Sequence, residues 1–288
     1  MTRNSMLFCI DGNLVIHLGA FLYSVSKNSP RSEFDAYVFH SKLSRDHIEM
    51  IQSFERLLPN IKIHVVKVDL SDLDSLPNSS NYITQETYYR FAIQRYLKNV
   101  DRIVYFDVDM LVVGDIQALW DIDIKSIGAV RDLFGESARF PKFDSALIRR
   151  LRLHRLTRLH KNKLGIEGGY FNAGMLIFDL HNLGDSDLLE NLVRVTGELQ
   201  EKKILKMQDQ DALNYYFKND VTIVPDCYNY QSRNMFEKTL FPEEVRIVHF
   251  TGPKKPWSSD EVTGVDQFDL FSELYRKNFM EFNSLFSQ

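Results

Sequence analysis

The chain has 288 residues, enough for one large α/β domain or two small ones. Apolar residues make up 44% and charged residues 26%, which provides a sizeable core and excludes a disordered chain. The net charge of -4 offers no general attraction for nucleic acid, and no run of about 18 apolar residues exists to span a membrane. The two cysteines, Cys9 and Cys227, form no disulfide framework or zinc-ligand spacing and suit a reducing compartment. The opening MTRNSMLFCIDGN has no long apolar core, so no signal peptide is expected.

Met6–Ile10 reads as a short apolar strand closing on Asp11-Gly12-Asn13. Val15–Ser26 has helical apolar spacing, Ala36–Phe39 reads as a second strand, and Ser44 caps a helix expected to reach Leu58. Ile61–Val68 is a third strand, Asp69–Asn81 a polar connector, and Thr84–Leu97 a helix. Ile103-Val104-Tyr105-Phe106 then has the β-branched and aromatic composition of a buried central strand. It runs out into Asp107-Val108-Asp109. Residues two apart in an extended segment face one side, so both carboxylates reach one spot. Two such acids repel each other and resist desolvation, and a divalent cation relieves both penalties. The plainer alternative is a pair of acids opening a solvated loop.

Ile127–Val130 is another strand, ending at Arg131-Asp132. The segment from Leu147 to Lys163 contains no acid; it carries Arg149, Arg150, Arg152, Arg155, Arg158, Lys161 and Lys163, with His154 and His160. It reads either as a solvated helix or as a surface for anionic lipid or a phosphorylated acceptor. GGYFNAGMLIFDL (Gly168–Leu180) joins a small-residue turn to an apolar strand, and Leu188–Leu205 is a surface helix. Asp209-Gln210-Asp211 opens a short helix through Phe217, where first-turn acids serve as caps. Val221–Val224 is a strand, an irregular loop follows, and Val245–Phe250 delivers His249 at its end. Phe268, Phe271, Tyr275, Phe279, Phe282 and Phe286 mark a terminal amphipathic helix, packed on the body or on a partner.

Strands alternating with helices at this spacing predict an α/β fold, a mainly parallel sheet with helices on both faces. In such sheets ligands bind beyond the carboxyl ends of the strands, where Asp11, Asn13, Asp107 and Asp109 fall. The expected division is a catalytic domain over 1–260, with a basic helical insertion at about 133–167, and a helix over 261–288.

Four stretches, YFDVDMLVVGDI, YFNAGMLIFDL, DQDALN and HFTGPKKPW, occur in the order found in family 8 retaining glycosyltransferases, which the chain resembles over roughly residues 6 to 257. That family includes bacterial lipopolysaccharide galactosyl- and glucosyltransferases and glycogenin-like enzymes, and it uses the GT-A fold. The resemblance implies a UDP-sugar donor, a carbohydrate or lipid-linked glycan acceptor, and a Mn²⁺ ion, with Mg²⁺ as the alternative. It assigns Asp107, Asp109 and His249 to the metal. It places Asp11, Asn13 and Val108 near the nucleotide, Arg90 near the donor, Asp132 on the sugar hydroxyls, and Asn172, Ala173 and Gly174 along the sugar. Asp209 and Gln210 are implied at the catalytic centre, Gln210 beneath the anomeric carbon, and Gly252 and Lys255 at the diphosphate. Gly12 and Leu14 depart from the family pattern, which more often has a polar residue and an aromatic there.

The residue chemistry agrees. Two carboxylates and an imidazole suit Mn²⁺ and leave room for diphosphate oxygens. Lys255 adds a point charge on a turn stiffened by Pro253 and Pro256. Gln210, a neutral amide, is a poor nucleophile, which favours same-face attack and leaves Asp209 as the covalent candidate. The expected setting is the cytoplasm, with peripheral contact at an anionic inner membrane face. An acid-x-acid phosphatase, a sugar nucleotidyltransferase and a non-catalytic UDP-sugar-binding module stand as alternatives.

Overall fold

The computed structural model describes residues 3–69, 71, 73, 76, 85–132, 160–167, 169–184, 187–258 and 263–287. A seven-stranded sheet carries the body. β1 (Asn4–Cys9), β2 (Phe34–His40), β3 (Ile61–Lys67) and β4 (Arg102–Phe106) are parallel, in the order β3-β2-β1-β4. β7 (Phe171–Asp179) lies antiparallel to β4, and β6 (Ile127–Arg131) and β8 (Val221–Ile223) complete the sheet beyond it. The expected mainly parallel sheet is therefore present, with β7 reversed. From Phe171 to Phe178 every residue of β7 is buried, as a strand covered on both faces requires. Such a uniformly apolar run carries no sign of its direction.

Alternation along β1 separates two cores. Met6 and Phe8 join the layer under α1 (Val15–Asn28), while Leu7 and Cys9 join the layer on the other face. The second layer is closed by α4 (Leu188–Glu201), which buries Leu188, Leu192, Val195 and Leu199, and by α5 (Asp209–Tyr216). Before these, Ser44 caps α2 (Arg45–Ser53) by accepting from His47 N, and a 3-10 turn over Phe54–Leu57 ends the expected longer helix.

The helix expected over 84–97 is instead a 3-10 segment, Gln85–Ala92, followed by the short α3 (Ile93–Tyr96). Residues three apart eclipse in a 3-10 helix. That brings Tyr88 and Phe91 edge to face at 5.4 Å and lets Arg90 Nε donate to Thr87 O. The tighter winding turns Tyr88, Arg90 and Phe91 together into the core.

A second sheet of three short strands sits beyond the carboxyl end of β4. β5 (Met110–Val112) pairs antiparallel with β10 (Ile247–His249), which pairs parallel with β9 (Tyr230–Gln231). α6 (Ser232–Glu237) follows β9 directly. α7 (Asp266–Phe286) packs its aromatic face on the body: Phe268, Phe271, Tyr275 and Phe282 are buried. Phe282 enters where α1 has Gly19, whose Cβ would stand 2.3 Å from the Phe282 ring. The apolar face of the terminal helix is thus occupied by the protein itself.

Residues 133–159, which include Arg149, Arg150, Arg152, His154, Arg155 and Arg158, lie outside the described residues. At the end of that basic segment, His160 and Lys161 turn inward, and Lys161 is buried against the Tyr170 ring. Among the described residues, no helix is long and apolar enough to cross a membrane.

Candidate functional site

The chain leaves β4 at Phe106 and turns through Asp107-Val108-Asp109 into β5, so the acid pair sits at the joint between the two sheets. Two backbone bonds fix it there: Asp107 N donates to Gly174 O on β7 at 2.8 Å, and Phe250 N donates to Asp109 O at 3.0 Å. β10 delivers His249 to the same point. One ligand atom from each of Asp107, Asp109 and His249 lies within 4.8 Å of the others. His249 Nε2 is 3.3 Å from Asp109 Oδ1 and 3.8 Å from Asp107 Oδ2. The Val108 side chain is buried in the core layer beneath. Gly174 forms the floor: a Cβ there would stand 2.3 Å from His249 Cε1 and 2.8 Å from Asp107 Oδ2.

Charge is arranged around this cluster. Tyr105 Oη donates to Asp107 Oδ1 at 2.5 Å. The Arg90 guanidinium is 2% exposed, lies 3.8 Å above the Tyr105 ring centre, and sits 3.5 Å from both Asp107 Oδ1 and Asp209 Oδ2. It is held by donating to Ala173 O and Thr87 O. Burial pushes the Asp107 and Asp209 carboxyls up, with Arg90 opposing. Burial also pushes Asp109 up, but Lys255 and His249 together outweigh it and hold that carboxyl well below the usual range. Lys255 Nζ donates to Asp109 Oδ2 and to Phe250 O. Asp109 Oδ1, by contrast, is buried and accepts no hydrogen bond. A buried carboxylate oxygen without a donor, beside a second carboxylate and an imidazole nitrogen, fits a divalent cation.

The residues expected along the sugar meet next to the cluster. Asn172, Ala173 and Gly174 lie on β7, and Asp209 and Gln210 open α5. Gln210 Oε1 accepts from Ala173 N at 3.0 Å and from Asn172 Nδ2 at 3.4 Å, and its Nε2 donates to Asp132 Oδ2 at 3.1 Å. Asp11 and Asn13 sit just past the end of β1, where Asp11 accepts from the Asn13 backbone and side chain. Gly252 occupies a left-handed turn, φ +86°, and is exposed. Among the described residues, no hydrogen bond or ion pair joins these three to the acid pair.

Several residues of the site carry no signal in the sequence. Asp211, which reads as a helix cap, is fully buried and takes four donors: Tyr170 Oη at 2.6 Å, His160 Nε2 at 2.8 Å, and the backbone N of Lys206 and Met207 at 2.6 and 2.7 Å. Burial pushes its carboxyl up, but these donors outweigh it and hold it below the usual range. Asn229, in the irregular loop before β9, is fully buried and reaches both His249 and Asn172. Asp211 lies within the DQDALN stretch, where its spacing reads only as a cap; the one clue to Asn229 is an uncharged amide between Tyr228 and Tyr230.

The family model described as "Glycosyl transferase family 8" matches residues 5–261. The chain belongs to glycosyltransferase family 8. Among relatives of this family 8 chain, the lipopolysaccharide 1,3-galactosyltransferase of Salmonella typhimurium is 28% identical over 276 residues, covering 92% of this chain and 76% of the relative. General stress protein A of Bacillus subtilis is 27% identical over 271 residues, covering 88% of this chain and 86% of that one. The crystal structure of the galactosyltransferase LgtC with donor and acceptor sugar analogs superposes with a TM-score of 0.76 at 23% identity, covering 96% of this chain and 95% of that one. The fold of this family 8 glycosyltransferase is thus the GT-A fold.

Proposed function

We propose that this glycosyltransferase moves a hexose, galactose or glucose, from a UDP-sugar to a carbohydrate acceptor with retention of configuration. The acceptor we assign is a cell-surface glycan or lipopolysaccharide, a reading supported by the Salmonella relative's name. The observation that carries the metal-assisted part is the meeting of Asp107, Asp109 and His249 around the donor-less Asp109 Oδ1. The ligand set suits Mn²⁺, with Mg²⁺ as the alternative. Bound there, the ion would neutralise charge developing on the departing diphosphate.

The remaining work falls to the chain's own residues. Lys255 supplies a cation to the same phosphates, from a turn that also contains Gly252. Asp11, Asn13 and the backbone at Val108 hold the nucleoside end. Asp132 takes donor-sugar hydroxyls, and Asn172, Ala173 and Gly174 line the ring. Arg90 sets the position of Asp209 and Asp107 through its two 3.5 Å contacts. Gln210 steadies the oxocarbenium-like centre while the acceptor attacks from the leaving-group face. Its amide is held on three sides and is a poor nucleophile. Asp209 is the competing candidate for a covalent role.

The test is hydrolysis of UDP-glucose, UDP-galactose, UDP-N-acetylglucosamine and UDP-N-acetylgalactosamine with Mn²⁺. UDP should be released from a hexose donor and release should stop with chelator. Consumption only in the presence of pyrophosphate would replace this reading with a sugar nucleotidyltransferase. Binding without either reaction would replace it with a non-catalytic UDP-sugar-binding module.

We place the chain in the cytoplasm, in peripheral contact with an anionic inner membrane face through the basic segment 147–163. The two free thiols and the run of arginines support this. Sedimentation with anionic but not neutral vesicles, lost on changing Arg149, Arg152 and Arg155 to Gln, is the expected result. Equal pelleting with both vesicles would leave a soluble acceptor as the better reading.

A further inference from the structure

We propose that Asn229 is a positioning residue that serves the metal ligand His249 and the sugar-site amide Gln210 at once, through a hydrogen-bond chain with a single proton arrangement. The inference rests on the metal-assisted transfer proposed above. Asn229 ends the short 3-10 turn Asp226–Tyr228 and precedes β9. Its Oδ1 lies 2.9 Å from His249 Nδ1, and its Nδ2 lies 2.9 Å from Asn172 Oδ1.

Which end of each amide is oxygen is decided by backbone groups that can only donate. Gly174 N–H points at Asn172 Oδ1 at 3.0 Å, so that atom is the carbonyl oxygen. The Asn229 atom facing it must then be the NH₂. The other end of Asn229 is therefore its carbonyl oxygen, and it requires a proton on His249 Nδ1. Nε2, 3.3 Å from Asp109 Oδ1, is then the nitrogen left to face a cation. A cation between Nε2 and Asp109 Oδ1 completes the arrangement.

Ala173 N–H points at Gln210 Oε1, the Asn172 NH₂ points at the same oxygen, and the Gln210 NH₂ reaches Asp132, a carboxylate that only accepts. From Asp132 through Gln210, Asn172 and Asn229 to His249, every donor meets an acceptor. Reversing any one amide sets donor against donor or acceptor against acceptor at its neighbour. Asn229 thereby ties the imidazole tautomer to the same hydrogen-bond chain that holds the amide beneath the sugar. Partners that orient a metal-bound histidine in this way typically matter about 10- to 100-fold in metal affinity or activity.

The first measurement needs no variant: long-range proton–nitrogen correlation spectra of metal-free, ¹⁵N-histidine-labelled protein. His249 should show a proton on Nδ1; a ring protonated on Nε2 alone overturns the proposal. The second uses three substitutions that separate the arms. Asn229→Ala should lose the fixed tautomer and weaken Mn²⁺ binding about 10- to 100-fold. Asn172→Ala, which removes the acceptor that sets the Asn229 amide, should loosen the tautomer and lower kcat for sugar transfer at least about tenfold, with little change in donor KM. Asn229→Asp, whose carboxylate still accepts from Nδ1–H but faces Asn172 Oδ1 with a second acceptor, should keep the tautomer and the Mn²⁺ affinity while lowering kcat. An unchanged tautomer in Asn229→Ala, or full kcat in Asn172→Ala, overturns the coupling. If native protein shows the Nδ1–H tautomer yet binds no Mn²⁺ with UDP, the metal-assisted reading fails and the orienting role of Asn229 stands.

Discussion

Gly174→Ala tests how tightly the metal cluster is built. The new Cβ would stand 2.3 Å from His249 Cε1 and 2.8 Å from Asp107 Oδ2. Carbon atoms in contact rest about 3.5–4.0 Å apart, so something must move by about 1.2 Å or more. The backbone of β7 is tied to β4 on one side and β6 on the other, and His249 is 3% exposed with Asn229 behind it. The imidazole gives way first. Metal–ligand distances tolerate only about 0.2 Å, so a ring moved that far no longer ligates. The expected result is a loss of at least about 100-fold in Mn²⁺-dependent UDP affinity by calorimetry. Overpacking itself costs about 1–3 kcal/mol, which for a chain of this size lowers Tm by about 2–12 °C. Gly197→Ala is the matched control: in α4 its Cβ meets nothing within 4 Å, and the change should raise stability by about 0.4–1 kcal/mol with UDP binding unaltered. A Gly174→Ala protein that binds UDP with Mn²⁺ as tightly as the native chain refutes the packing argument.

Asp109→Ala should abolish Mn²⁺-dependent UDP binding while the circular dichroism spectrum and cooperative melting persist; unchanged calorimetric affinity would remove Asp109 from the metal. Gln210→Ala should slow transfer by about 10- to 1000-fold with UDP affinity nearly unchanged, and a sugar trapped on Asp209 or Gln210 by intact mass would replace same-face attack with a covalent route. Asp211→Asn replaces one acceptor with a donor among four inward-pointing donors and should cost about 1.5–3 kcal/mol in chemical denaturation at neutral pH. Because the native Asp211 pKa is lowered, its contribution is fully present above the ordinary carboxylate value of about 3.9 and is lost as pH falls through the native value. The gap between native and Asp211→Asn stability should therefore narrow only in strong acid; a gap that stays constant there would show that charge is not what Asp211 contributes.

The parts of the site carried by long apolar strands were legible. Ile103–Phe106 reads as a buried strand from composition alone, and the acids at its exit lie where parallel sheets bind ligands. The ordered stretches around Asp107, Asn172, Gln210 and His249 point to one another because each sits at an element's end. The small sheet was not legible as a sheet, because β5, β9 and β10 are two or three residues long and no periodicity can show in so few positions. Asn229 and Asp211 were illegible for a different reason. Their importance comes from partners distant in the chain, 57 residues from Asn229 to Asn172 and 51 from Asp211 to His160. A polar residue gives no local hint that it will be buried when the fold itself supplies its donors and acceptors.

The segment that matches the family model stops at residue 261, before α7 begins at Asp266. Yet this helix supports the loop that carries Lys255. Trp257 stacks on His17 at 4.2 Å and leans on Tyr275, Tyr275 Oη reaches His17 Nδ1 at 2.8 Å, and Arg276 Nη1 donates to Pro256 O. A chain shortened to the matched segment would retain every side chain assigned to chemistry. It would also turn Phe250, Trp257 and the groove at Gly19 toward water, and leave the Lys255 loop hinged on one side. The stretch that defines kinship and the stretch that must be kept together to work are different lengths, so a transplant or truncation of this enzyme should be cut after Phe286.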